Sequence, residues 1–130
     1  KKYIKYLGYI LVLGALLYYS GVLNFNLPSI SVSELKKIHS THKGIEVIDV
    51  RTKSEYNGPL GHITNAKLRS LSDIENTIAE YKNSKFTDEP VYIICRSGNR
   101  SSKATKKLRK SGINAINVSG GMKAWNENNY

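Results

Sequence analysis

The stretch VYIICRSGNRS, Val91 to Ser101, decides the fold. Val91 to Ile94 is an apolar run of a length that suits a buried strand. It gives way at Cys95 to a small polar loop, and Ser101 or Ser102 then caps a basic helix that closes near Gly112. Strand, loop and helix in that order put Cys95 at the carboxyl end of the strand, beneath the helix N-terminus. Ligands bind at that place in open α/β sheets.

The loop Arg96, Ser97, Gly98, Asn99, Arg100, Ser101 can curl its backbone N–H groups into an anion-binding nest around the sulfur. The helix dipole adds roughly half a positive charge, and Arg96 and Arg100 add whole ones. Each favours thiolate over thiol, the form a nucleophilic cysteine needs. A lone cysteine is commonly a buried structural residue; this loop favours a nucleophile instead. The same donors would stabilise a persulfide, Cys–S–S⁻, once formed.

Working outward, Ile45 to Val50 (IEVIDV) and Ile113 to Val118 (INAINV) are further β-branched strands. Ser31 and Glu34 have capping-box spacing before a helix bearing Leu35 and Ile38 on one face. Ser72 and Glu75 repeat it before the stripe Ile74, Ile78, Tyr81. Thr52 to Gly61 reads as turns around Gly58-Pro59, and Gly120-Gly121 leads into a short helix with Met122 and Trp125. Strands alternating with helices imply an α/β fold with a central parallel sheet flanked by helices.

The 130 residues have room for one domain. Between Lys5 and Glu34 there is no charge, and Tyr3 to Phe25 (YIKYLGYILVLGALLYYSGVLNF) is apolar with tyrosines near both ends. As a helix it would span a bilayer core of ~30 Å. Tyr18 and Tyr19 occupy the place where a cleaved signal needs small residues, so an uncleaved anchor is expected. The division expected is residues 1–25 as transmembrane anchor, 26–30 as linker and 31–130 as the folded domain. Lys1, Lys2 and Lys5 before the span keep the N-terminus cytoplasmic and place the domain on the periplasmic or extracytoplasmic side.

The formal charge is +10, and removing those three lysines leaves about +7 on the remainder. A basic domain suits nucleic acid, an anionic membrane or a small anion. No nucleic-acid motif or basic–aromatic interleaving is present, so nucleic acid is not an expected partner.

Four stretches, in order, resemble single-domain rhodaneses, the thiosulfate sulfurtransferase family, over roughly Ile30 to Tyr130. They are Asp49-Val50-Arg51 with Glu55-Tyr56; Gly61-His62-Ile63; Cys95 to Ser101; and Gly120-Gly121-Met122 with Trp125. The resemblance implies that Cys95 takes sulfane sulfur from a small anionic donor such as thiosulfate and passes it to a thiol or protein acceptor. It implies that Arg96 to Arg100 cradle the persulfide, with Arg100 as the cation that binds the donor. Asp49, Arg51 and His62 are expected to be scaffold. No cofactor or metal is called for.

The sequence departs from the family's common GHIPGA at Thr64-Asn65 and carries two extra residues between Tyr56 and Gly61. Phosphatase and arsenate-reductase relatives place five residues between cysteine and arginine. Here Arg100 follows after four, Ser101 holds the phosphatase arginine position, and Ile94 replaces the histidine that commonly precedes a phosphatase cysteine. Sulfur transfer is the expected activity. The alternative is a carrier or accessory subunit, with membrane lipid and a larger membrane complex as partners of the anchor.

Overall fold

A computed structural model describes residues 2–19 and 26–127. In chain order the elements are α1 (Lys2–Tyr19), β1 (Ser29–Ser31), α2 (Val32–Thr41), β2 (Glu46–Asp49), α3 (Lys53–Tyr56), β3 (Lys67–Leu68), α4 (Ile74–Tyr81), β4 (Val91–Ile94), α5 (Asn99–Lys110), β5 (Ala115–Ser119) and α6 (Gly121–Glu127). Single 3₁₀ turns lie at Leu71–Asp73 and Lys85–Thr87.

The five strands form one parallel sheet in the order β1-β5-β4-β2-β3. Side chains alternate across it, as a pleat requires. Ile48, Val91, Ile93 and Ala115 face one layer with Ile74, Tyr81, Ala104 and Leu108 of α4 and α5. Val47, Tyr92, Ile94 and Val118 face the other, against Val32 and Leu35 of α2 and Met122 of α6. A sheet covered on both faces explains why the VYII strand is apolar throughout.

The topology also makes the site. After β2 the chain turns towards β3 on one side; after β4 it turns towards β5 on the other. The carboxyl ends of β2 and β4 therefore flank a switch point, where a crevice opens in such sheets. Asp49 pairs with Ile94 there, and Val50 N–H donates to Ile94 O at 3.0 Å. Cys95 is the next residue.

Several expectations change. Among the described residues no helix is long and apolar enough to cross a membrane. α1 has 18 residues, about 27 Å at the α-helical rise, and it carries Lys5 and tyrosines through its first turns. The rest of the expected span, residues 20–25, lies outside the described residues. The membrane anchor and its lipid and membrane-complex partners are thus not supported, and the placement of the domain drew on that span alone.

Two residues of the expected linker, Ser29 and Ile30, are instead sheet, paired with Asn117 and Val118. The stretch read as turns contains α3, capped by the reciprocal bonds of Thr52 and Glu55. Ser72 caps nothing; it sits inside a 3₁₀ turn. α5 opens earlier than expected, at Asn99 behind Gly98, because Gly98 adopts φ 110°. Ser101 and Ser102 turn their hydroxyls back to Gly98 O, at 3.1 and 2.8 Å.

Candidate active site

Cys95 follows the central strand, and its side chain is 1% exposed. The turn at Gly98 folds the loop back so that Gly98 N–H donates to the sulfur at 3.1 Å. Ser101 Oγ lies 3.3 Å from Sγ. Ser101 is fully buried within the first turn of α5; its Oγ accepts from the thiol while its O–H donates to Gly98 O, and that O–H can turn to the sulfur when the thiol ionises. Burial alone pushes the Cys95 thiol up. The Ser101 hydroxyl and the N–H groups of Ser101, Gly98 and Ser97 overcome it, and the thiol ends below its ordinary value. These groups favour the thiolate form of the buried sulfur.

α6 secures the loop from behind. Met122 N–H donates to Cys95 O at 2.8 Å and Lys123 N–H to Arg96 O at 3.0 Å. These are unsatisfied first-turn donors of a helix, used here to clamp the loop. The approach demands glycine: Gly121 has φ 59°, and a Cβ there would meet Cys95 O at 2.5 Å.

The two supporting residues form a buried pair at the switch point. Arg51 Nη2 lies 2.7 Å from Asp49 Oδ2, and Arg51 Nε donates to Oδ1 at 2.9 Å. The rest of the guanidinium donates to Glu55 O at 3.1 Å and Gly61 O at 2.6 Å. Arg51 therefore ties β2 to α3 and to the turn before His62. His62 is exposed and stacks on Tyr56 with ring centroids 3.6 Å apart, as a scaffold contact.

Arg100 faces Glu55. Nη1 lies 2.6 Å from Oε1 and Nη2 lies 2.7 Å from Oε2. This bidentate contact holds the Glu55 carboxyl at about 2 and raises Arg100 further. Arg96 and Ser97 are exposed on the loop, and Asn99 is exposed at the first turn of α5. Among the described residues Arg96 has no carboxylate partner. It lines a cavity of about 260 Å³ with Arg51, Glu55, Pro59 and Leu60.

The structure brings Ser97, Gly98 and Ser101 to the sulfur of Cys95, pairs Arg100 with Glu55, leaves Arg96 and Asn99 exposed, and pairs Asp49 with Arg51 at the end of β2. Sequence reasoning gave no role to Glu55 or Gly121. The sequence signal for Glu55 is the Thr52-x-x-Glu55 capping spacing, which lies in a segment that reads as turns around Gly58-Pro59. Among the described residues no group of three His, Cys, Asp or Glu is placed to hold a metal ion.

Comparison with known proteins agrees with this geometry. A family model described as "Rhodanese-like domain" matches residues 31–128. The Bacillus subtilis protein YqhL is 36% identical over 91 residues, 69% of this chain and 68% of that protein. Thiosulfate sulfurtransferase 18 of Arabidopsis thaliana is 31% identical over 113 residues, 78% of this chain and 80% of that one. The crystal structure of a rhodanese-like domain protein from Staphylococcus aureus superposes with a TM-score of 0.66 at 38% identity, over 75% of this chain and 90% of that chain. The match takes in the strand before Cys95, the loop after it and the glycine turn that clamps it, and so the chain belongs to the family of rhodanese-like domains.

Proposed function

We propose that the protein is a sulfurtransferase that carries sulfane sulfur as a persulfide on Cys95. The observation that carries this reading is the pair of groups at the sulfur: Gly98 N–H donates to it at 3.1 Å, and the buried Ser101 hydroxyl, 3.3 Å away, can turn from Gly98 O to donate once the thiol ionises. The Cys95 thiolate attacks the outer sulfur of thiosulfate. A new S–S bond forms, the S–S bond of thiosulfate breaks, and sulfite leaves with the electron pair. The terminal sulfur of Cys–S–S⁻ is an anion, and the donors that favour thiolate favour it too. A thiophilic acceptor, such as cyanide or a thiolate, then attacks that sulfur and Cys95 departs as thiolate. No cofactor or metal enters either step.

The cavity beside Arg96 supports a small anionic donor. Ser101, at the position of a phosphatase arginine, is buried against the sulfur and offers no fork for a tetrahedral oxyanion. The Arabidopsis relative is named a thiosulfate sulfurtransferase, which favours thiosulfate as the donor to test. Intact-mass spectrometry after exposure to thiosulfate should find one added sulfur, mapped to Cys95 and removed by cyanide. Folded protein that gains no sulfur, or gains it equally in Cys95→Ser, sinks the reading.

A further inference from the structure

α5 starts at the sulfur loop and runs away from it, and its two sides differ in kind. The inward side, Ser101, Ala104, Thr105 and Leu108, is buried. The exposed residues beyond Ser102 are Lys103, Lys106, Lys107, Arg109 and Lys110, every one basic. Lys103, Lys106, Lys107 and Lys110 follow i, i+3, i+4, i+7 spacing and share one face, about 10 Å long at the α-helical rise. α5 contains no acidic residue. Among the described residues none of these four ammonium groups has an acidic partner.

Such a face carries a cost. Like charges three and four apart repel and weaken a helix, where alternating signs would support it. A face that served solubility alone would do better with both signs. Lys107 and Lys110 suit the dipole at the helix end, but Lys103 lies in the first half, where the dipole disfavours it. The arrangement makes sense if the balancing charge comes from outside.

We infer that the Lys103, Lys106, Lys107 and Lys110 face of α5 docks a protein acceptor that carries acidic residues beside a cysteine thiol. This rests on the proposed sulfur transfer and names the class of its acceptor. The stripe begins about 6 Å along the helix from Asn99, so a partner held on it presents its own groups to the loop around Cys95. The acceptor thiolate attacks the outer sulfur of the Cys95 persulfide; its new S–S bond forms as the Cys95–S bond breaks, and Cys95 leaves as thiolate. Protein is favoured over other polyanions by what the face lacks. It holds no aromatic residue on which a base could stack and no apolar residue to enter a bilayer.

The test uses the full chain loaded with thiosulfate and two synthetic acceptor peptides of equal length. Each has one cysteine, flanked by glutamates in one and glutamines in the other. Mass spectrometry at low salt should show the glutamate peptide taking sulfur at least roughly tenfold faster. The advantage should vanish at about 0.5 M salt and in the variant with Lys103→Gln, Lys106→Gln, Lys107→Gln and Lys110→Gln. That variant should serve the glutamine peptide as well as the wild type does. Equal rates for the two peptides, or an advantage that survives in the variant, overturns the inference.

Fluorescence anisotropy of the glutamate peptide with unloaded protein reads the docking without any sulfur chemistry. If no persulfide forms, the sulfurtransferase reading fails while this binding still decides the surface. Tighter binding to a single-stranded oligonucleotide or to phosphatidylserine vesicles at equal salt, lost in the variant, reassigns the face and overturns a protein partner.

Discussion

Arg100 and Glu55 meet in a two-point contact, Nη1 to Oε1 at 2.6 Å and Nη2 to Oε2 at 2.7 Å, across 45 residues of sequence. The pair joins the helix after β2 to the helix after β4, closing one wall of the crevice over the sheet's switch point. It also means that the cation the resemblance assigns to the donor already has a carboxylate. Arg96, by contrast, is exposed on the loop, and among the described residues it has no carboxylate partner.

The first prediction concerns acid. The Arg100 contact lowers the Glu55 carboxyl from its ordinary 4.5 to about 2. Its folded pKa lies below the unfolded one, so the stabilisation is complete above about pH 5 and is lost as pH falls through 2. With one side open to solvent, the pair is worth about 1 kcal/mol. Denaturant midpoints for wild type and Glu55→Gln should differ by a constant amount near neutral pH and converge between pH 4.5 and 2. Two curves that stay parallel through that range would show that Glu55 gains nothing from Arg100.

The two arginines should separate kinetically. Arg96→Ala should raise the KM for thiosulfate by about tenfold, the effect of one charge-assisted contact, and affect an uncharged persulfide donor much less. Arg100→Ala should cost stability and lower turnover with both donors, since it leaves Glu55 unbalanced beside the loop. A selective thiosulfate defect in Arg100→Ala, with Arg96→Ala unaffected, would return the donor to Arg100.

The sequence makes some of this legible and hides the rest for physical reasons. Val91–Ile94 is the strand expected, to the residue, because a strand buried on both faces must be apolar throughout. Cys95 at its end follows directly. β1 and β3, at three and two residues, are too short to show a period; their pairing to β5 and β2 makes them strands. Capping-box spacing occurs at Ser72–Glu75 and at Thr52–Glu55, yet the full reciprocal box forms at Thr52. Spacing alone does not choose between them. The Arg100–Glu55 contact is set by topology, which brings α3 and the start of α5 to one end of the sheet. The expected anchor rested on hydropathy summed to Phe25, and residues 20–25 of that stretch lie outside the described residues.

Breaking the buried pair should be severe. Asp49 and Arg51 are 0% and 1% exposed, so Asp49→Asn leaves a guanidinium charge buried without its counter-ion. The cost should be about 3–5 kcal/mol, a large part of the stability of a domain this size. Replacing both, Asp49→Asn with Arg51→Met, should recover part of it because the stranded charge is gone. A single Asp49→Asn variant that unfolds within about 1 kcal/mol of wild type would contradict a buried, fully engaged pair.

Gly121 should tolerate no side chain. At φ 59° an added Cβ is strained, and it would lie 2.5 Å from Cys95 O and 2.6 Å from Arg96 O. Gly121→Ala must push α6 off the loop, weakening the Met122 and Lys123 bonds to those carbonyls. Unfolding should become easier by about 2 kcal/mol or more, and persulfide formation should fall in the fraction that stays folded. Wild-type stability and sulfur loading in this variant would show that the clamp has slack.

The last prediction reads the sulfur itself. Burial opposes a charge on Cys95, and the Ser101 hydroxyl, with three backbone N–H groups, reverses that opposition. A backbone donor is removed only by proline, which would also reshape the loop, whereas the hydroxyl can be removed alone. Ser101→Ala is a mild change in packing, and it does not orphan Gly98 O, which still accepts from Ser102 Oγ at 2.8 Å and Ser102 N at 3.1 Å. The loop should therefore keep its shape while the thiolate loses the hydroxyl that could turn to it. Iodoacetamide alkylation of wild-type Cys95 should titrate below the ordinary thiol range near 8.5, and in Ser101→Ala the midpoint should move upward. Sulfur loading from thiosulfate at neutral pH should fall with the thiolate fraction and recover as pH is raised. A variant with the wild-type alkylation profile would show that the N–H groups alone set the thiolate, and that Ser101 serves only to pack α5.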